Sequence, residues 1–194
     1  ARLGSYYKIK YFKSADYFVA ITPYIRDYLM RQGVAPGHVR HINNFAEVEA
    51  VTAPVQRSDF ETPEEAPLLL ALSRLHPVKG LDTLVKAVKN VPDVHLWIAG
   101  EGPLRGELEK LIADLALGSR VKLLGWRADR GALLAACDIC VFPSRYEPFG
   151  TVFVQAWAAE RPVITSDADG PKQFIRSGED GLIFPIDDVA ALTE

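Results

Sequence analysis

The chain has 194 residues, enough for one ordinary domain or for one domain plus part of another. Its 48% hydrophobic content is that of a folded globular protein, so a disordered tail is excluded, and two cysteines are too few for a disulfide-stapled module. A net charge of −3 argues against a nucleic-acid partner bound through a broad basic face, and the apolar runs fall well short of the roughly 20 residues of a bilayer span.

Residues 1–13 carry Arg2, Lys8, Lys10 and Lys13 without an acid, interleaved with Tyr6, Tyr7, Tyr11 and Phe12. We read them as a solvated face with packed tyrosines rather than an interfacial amphipathic helix. The chain opens on Ala and ends inside a helix start at 192–194, so it reads as a piece of a longer protein. Residues 15–45 read as strand, helix, strand: an apolar run at 16–21, helical spacing of Ile25, Tyr28 and Leu29 over 23–31, and an extended stretch over 38–45. Gly33 stands where a helix C-cap belongs. Residues 46–66, broken by Pro54 and Pro63, read as a linker.

From residue 67 onward short apolar runs alternate with helical patterns. Strands are expected at 68–73, 94–99, 121–124, 138–142, 163–165 and 182–184, and helices at 81–89, 104–117, 130–136, 151–159 and 172–176. Nearly continuous apolar strands are buried on both faces, so the expected fold is α/β, a doubly wound parallel sheet of about six strands. Ligands of such sheets bind at the carboxyl ends of the strands. The two cysteines, Cys137 and Cys140, form a C-x-x-C inside the apolar run before Pro143 and are read as buried structural thiols in a strand.

Four strand-end loops hold the candidate chemistry. In Ser73–Gly80, Arg74 and Lys79 flank a short turn into a helix, where a fork-shaped donor and a point charge can grip a diphosphate; two surface cations are the alternative. Gly100-Glu101-Gly102 imitates a dinucleotide fingerprint, but its third glycine is displaced by one place and no acid follows at the ribose position, which leaves a tight turn beside a cleft. In Pro143–Gln155, Glu147 lies in the loop and Gly150 opens a helix, so the amides of Phe149, Gly150 and Thr151 point into the crevice, with Gln155 one turn further on the face of Thr151. A carboxylate beside free amides suggests a sugar or phosphate pocket; a helix-start acid answering the dipole is the other reading. Asp167 and Asp169 form an Asp-x-Asp that is either a cation site or a turn leading into Gly170-Pro171.

These stretches together resemble the retaining glycosyltransferases of group 1 (family 4), which have the GT-B fold. The resemblance rests on Arg74-Leu75 with Lys79-Gly80, Ala-Gly-Glu-Gly-Pro at 99–103, Leu124-Gly125, and the run from Pro143 to Gly150 with its Glu-x-Phe-Gly. Arg161-Pro162-Val163-Ile164 and Asp180-Gly181-Leu182 also fit. The likeness implies that 67–194 is the nucleotide-sugar-binding Rossmann-like domain, 46–66 the interdomain linker, and 1–45 the remnant of an N-terminal, acceptor-side domain. It implies transfer of a sugar from a nucleoside-diphosphate sugar to an acceptor hydroxyl of a glycan or lipid, with retention. A nucleotide-sugar epimerase or a non-catalytic nucleotide-sugar-binding module are the alternatives.

On this likeness Arg74 and Lys79 neutralise the departing diphosphate, Phe149, Gly150 and Thr151 hold phosphate and sugar, and Glu147 is the catalytic carboxylate that orients sugar hydroxyls. Gly125, Trp126 and Arg127 meet the base, and Gln155 the ribose. No metal and no cofactor are implied. The two cysteines, read as reduced, suit a cytoplasmic location, with peripheral membrane contact assigned to the absent N-terminal domain. Two positions depart from the family: its second Glu is Gln155 here, and the acid after its Gly-Gly turn is Gln173.

Overall fold

The structure, a computed structural model, describes residues 15–47, 51 and 53–194. The reading of residues 1–13 and part of the expected linker lie outside the described residues.

A small βαβ unit comes first: β1 (Phe18–Ala20), α1 (Pro23–Arg31) and β2 (Val39–His41), with β1 and β2 paired in parallel. Pro23 takes the first helical position, where its missing N–H costs nothing, and Thr22 Oγ1 accepts from the Ile25 amide at 3.1 Å. The helix ends as Gly33 signalled. With Gly33 at φ 94°, the Gly33 amide bonds to the Met30 carbonyl and the Val34 amide to the Leu29 carbonyl. Ala20, Leu29 and Val39 are its core. Of the extended stretch at 38–45, only Val39–His41 pairs as a strand.

The main sheet contains β3 (Leu68–Leu72), β4 (His95–Ala99), β5 (Val121–Gly125), β6 (Ile139–Phe142), β7 (Val163–Ser166) and β8 (Leu182–Phe184). They lie in the order β5-β4-β3-β6-β7-β8, and every pairing is parallel. The helices are α2 (Leu81–Asn90), α3 (Arg105–Asp114), α4 (Arg130–Ala136), α5 (Thr151–Ala158) and α6 (Val189–Thr193).

The alternation of β3 shows why its sequence reads as one apolar run. Leu68, Leu70 and Leu72 enter a core with Trp97, Leu133, Cys140, Phe149 and Phe153, under α4 and α5. Leu69 and Ala71 face the opposite core, built from Leu81, Leu84 and Val85 of α2 and Leu108 and Ile112 of α3. Each leucine fully removed from water here is worth about 1.5–3 kcal/mol of transfer free energy.

The described part of the expected linker is largely irregular, yet it is fastened to the sheet. After the turn Arg57–Phe60, Phe60 meets the Trp97 ring edge-on at 4.9 Å, and Trp97 Nε1 donates to Thr62 Oγ1 at 2.9 Å. The Arg57 guanidinium donates to the carbonyls of Ala66 and Ala136 and to Asp138.

Three local expectations are corrected. The helix expected at 172–176 is a short 3-10 turn, Pro171–Gln173, because the Asp180 carboxylate takes the Arg176 amide that a helix would give to a backbone carbonyl. The helix expected at 104–117 stops at Asp114. There Ala116 takes a left-handed φ of 55°, and Leu117 folds back to bond with the Ile112 carbonyl. No glycine marks that stop. Because exposed Ala116 holds a conformation that glycine adopts freely, Ala116→Gly is expected to raise stability by up to about 1 kcal/mol, read as a higher melting temperature.

Last, the cysteines do not share a strand: Cys137 caps the end of α4 and Cys140 lies in β6, with sulfurs 3.7 Å apart and both thiols free and buried. The hydrogen bond with Cys137, and burial, push the Cys140 thiol far above its ordinary range, which leaves it a poor nucleophile.

From β3 the chain moves to β4 on one side, while β6, on the other side of β3, leads on to β7 and β8. The direction of winding therefore reverses between β3 and β6. The crevice beyond the carboxyl ends of these two strands is where an open α/β sheet takes its ligand.

Candidate functional site

Two loops frame that crevice. After β3, Leu75 is completely buried and anchors the chain, His76 Nδ1 accepts from the Val78 amide, and Pro77–Lys79 make one 3-10 turn. The turn projects Lys79 toward the loop after β6. Its Nζ stands 2.6 Å from Glu147 Oε2, and both side chains are 18% exposed. At that depth the pair is partly shielded from water, so its attraction exceeds that of an ordinary surface ion pair. Arg74 behaves differently. It is exposed, and among the described residues its guanidinium makes no ion pair or hydrogen bond.

In the second loop, Phe149 buries its side chain (4% exposed) against Phe153 and Phe174. This contact fixes where α5 begins. Gly150 is the N-cap and offers no side-chain cap, and the amides of Phe149, Gly150 and Thr151 donate to no acceptor among the described residues. What Phe149 can offer a ligand is therefore its amide alone. Unsatisfied amides at a helix start carry partial positive charge, so an anion placed there is stabilised.

Beside these groups lies a hollow of about 250 Å³ lined by Arg74, Trp126, Arg127, Thr151 and Gln155 among others. Leu72, Ser73 and Val152 border both this hollow and the cleft of Lys79, Glu147 and Gly150. A roomier groove of about 660 Å³ runs along the edge strand β5, but Arg74, Lys79 and Glu147 are absent from it.

The remaining sequence candidates divide. Gln155 lines the hollow and its amide has no hydrogen-bond partner among the described residues, so it is available to a ligand. Trp126 is 73% exposed at the mouth, while Arg127 is held by Asp129 (2.5 and 2.8 Å) and lies over the Phe60 ring. Gly125, at φ 71°, closes β5 below them.

Gly100 and Gly102 serve packing. A Cβ on Gly100 would lie 1.9 Å from the Ser73 carbonyl oxygen, so the glycine lets the β4 loop press against the Arg74 loop. Asp167 Oδ1 accepts from the Ile186 amide and Asp169 pairs with Lys172 at 2.7 Å, which is turn chemistry. Gln173 lines neither the hollow nor the cleft of Lys79. Its Oε1 accepts from the Tyr24 amide in the first turn of α1 at 2.9 Å, and its Nε2 donates to the Asp169 carbonyl, so it joins the βαβ unit to the main sheet.

Sequence reasoning passed over Arg145. Its guanidinium bonds Asp82 and Asp187 and the Pro77 carbonyl, directly behind the Lys79 turn. Its place inside the stretch between Ser144 and Glu147 was the available signal.

The Arg145 guanidinium holds the Asp187 carboxyl below its ordinary 3.8, helped by the Thr83 hydroxyl and by Lys86, against the opposing effect of burial. Asp82, the other acid on Arg145, faces the same cation. A carboxyl depressed on folding adds stability above its unfolded value and loses it as pH falls through the lower folded value. Melting temperature is therefore expected to fall below about pH 4, and Asp187→Asn to flatten that fall.

No helix among the described residues is long and apolar enough to cross a membrane. Residues 66–194 match the family described as glycosyl transferases group 1. The chain is 38% identical over 97% of its length to the lipopolysaccharide core biosynthesis glycosyltransferase LpsE of Rhizobium meliloti, and 33% identical over 99% to LpsD of the same organism. It covers 55% and 56% of those proteins, so the chain spans about half the length of the curated relatives it matches.

Among solved structures, Anabaena HepE in complex with UDP and glucose superimposes with a TM-score of 0.80 at 26% identity, over 92% of this chain and 52% of that one. Sucrose-phosphate synthase of Thermosynechococcus elongatus gives 0.82 at 30% identity, over all of this chain and 53% of that one. A six-stranded parallel sheet of this order, a family match covering about two thirds of the residues and the identity to LpsE agree: the chain belongs to the group 1 glycosyltransferases.

Proposed function

We propose that this chain forms the donor-binding half of a retaining glycosyltransferase, which takes a sugar from a nucleoside-diphosphate sugar and delivers it to an acceptor hydroxyl of a glycan or lipid. The observation that carries the reading is Lys79 lying 2.6 Å from Glu147 beside the uncapped start of α5, with Arg74 unpaired at the entrance. Two cations and a set of free amides suit a diphosphate, and a carboxylate next to them suits the hydroxyls of the attached sugar.

In this reading the diphosphate enters between Arg74, Lys79 and the α5 amides. Charge building on the leaving phosphate as the C1–O bond breaks is met by these fixed donors, so no side chain need protonate it. Lys79 then turns from Glu147 to the phosphate, and Glu147 is freed to hold sugar hydroxyls and fix the reacting carbon. With the leaving phosphate on the attacked face, the acceptor oxygen bonds C1 from that face and its proton passes to the phosphate oxygen, which retains configuration. Exposed Trp126 and the Gly125–Arg127 backbone form the base-side wall, and Gln155 reaches the ribose as a neutral donor and acceptor.

HepE was solved with UDP and with UDP-glucose, which makes uridine the first base to try. The relatives act in lipopolysaccharide core synthesis, which supports a glycan or lipid acceptor. The chain by itself is expected to bind nucleotide without turnover, because orienting the acceptor takes a second wall. Calorimetric titration with UDP, GDP and ADP tests the reading: saturable one-to-one binding of one diphosphate is expected, and no binding of any would refute it.

A further inference from the structure

Glu147 and Lys79 come from loops 68 residues apart in sequence, so something must set one loop against the other to within a fraction of an ångström. The backbone supplies part of this: the amides of Arg145 and Tyr146 both donate to the Val78 carbonyl, at 2.8 and 3.3 Å. The Arg145 side chain supplies the rest. Nη1 donates to the Pro77 carbonyl at 2.6 Å, Nε to both oxygens of Asp187 at 2.7 and 2.9 Å, and Nη2 to both oxygens of Asp82 at 2.8 and 3.0 Å. Thr83 Oγ1 closes the ring by donating to Asp187 Oδ1 at 2.9 Å.

One planar fork thus ties together the Pro77–Lys79 turn, the first turn of α2, the loop after β6 and the turn before α6. Pro77 stands two residues before Lys79, and Arg145 two residues before Glu147. The fork therefore grips each loop just behind the group it presents. A lysine, with one point charge, could not span Asp82, Asp187 and the Pro77 carbonyl together.

We infer that Arg145 is a positioning residue of the donor site: it sets the Lys79 turn at the depth a β-phosphate requires and does not itself touch the nucleotide. The inference rests on the donor-binding reading above. It distinguishes Arg145 from an ordinary surface ion pair, which would add a little stability and leave ligand discrimination unchanged.

The test compares UDP with UMP, which lacks the β-phosphate, by calorimetry on the wild-type chain, Arg145→Met and Asp187→Asn. Methionine keeps the aliphatic stem and removes the fork; asparagine keeps the shape of its acceptor and removes the charge, and serves if the first variant fails to fold. A displacement of the Lys79 turn should cost UDP about 10-fold or more in affinity in Arg145→Met, less in Asp187→Asn, with UMP changed by no more than about twofold. Equal losses for UDP and UMP, or unchanged UDP affinity with only a lower melting temperature, would overturn the inference. Failure of the wild-type chain to bind UDP or any other diphosphate would instead strike the donor-binding reading, and this inference with it.

Discussion

Lys79→Ala is expected to weaken nucleoside diphosphate binding by about 10- to 150-fold, measured calorimetrically at fixed ionic strength. The charge-assisted contact, worth about 1.5–3 kcal/mol, sets this range. What the substitution leaves behind pushes the loss toward its upper end. Glu147, at 18% exposure and 2.6 Å from the removed ammonium, would stand unpaired and repel the incoming phosphates. Arg74→Ala should cost less, because Arg74 is solvated and its interaction is screened. Glu147→Gln should act in the opposite direction on bare diphosphate: with no carboxylate to hold it, Lys79 is free to bind, so UDP affinity should rise while UDP-sugar gains less. Unchanged UDP affinity in Lys79→Ala would remove Lys79 from the site.

A second large effect is expected at Gly80, the hinge between the Lys79 turn and α2. Its φ of 61° lies in the left-handed region, and a Cβ there would fall 2.0 Å from the Pro143 carbonyl oxygen. That neighbour is backbone, so no rotamer change relieves the overlap, and the turn must move away from the loop after β6. Gly80→Ala is expected to lower stability by about 2–4 kcal/mol and to weaken diphosphate binding as well, since Lys79 is carried off with the turn. Gly118→Ala is the control: a Cβ there meets nothing within 4 Å, and its stability should stay within about 0.5 kcal/mol of wild type. Equal melting temperatures for Gly80→Ala and Gly118→Ala would show that the two loops are not locked together.

Much of this fold was legible because burial on both faces leaves a plain imprint. Leu68–Leu72 and His95–Ala99 are apolar at nearly every position since each alternate side chain meets a different core. A helix stop could be read where one residue carries the signal, as at Gly33. Such reading failed where geometry decides instead: Ala116 ends α3 in a left-handed conformation with no glycine to announce it, and the Asp180 carboxylate takes the Arg176 amide from a helix that spacing alone allowed.

The candidate site divides in the same way. Residue type and loop position marked Arg74, Lys79, Glu147 and the glycine before α5. Pairing could not be read, because Lys79 and Glu147 meet only through the β3–β6 neighbourhood, and Gln173 finds Tyr24 across 149 residues. Arg145 stayed hidden for a related reason. Its partners Asp82 and Asp187 lie 63 and 42 residues away, and a lone arginine inside a signature loop looks like any solvated cation.

The most direct measurement is a crystal structure of the chain with UDP. The expected result is a diphosphate at the carboxyl ends of β3 and β6, its phosphate oxygens within hydrogen-bond distance of Lys79 Nζ, the Arg74 guanidinium and the amides at 149–151, with the 2.6 Å Lys79–Glu147 pair opened. A nucleotide seated elsewhere, such as the groove along β5, or a diphosphate bound while Lys79 stays closed on Glu147, would contradict it.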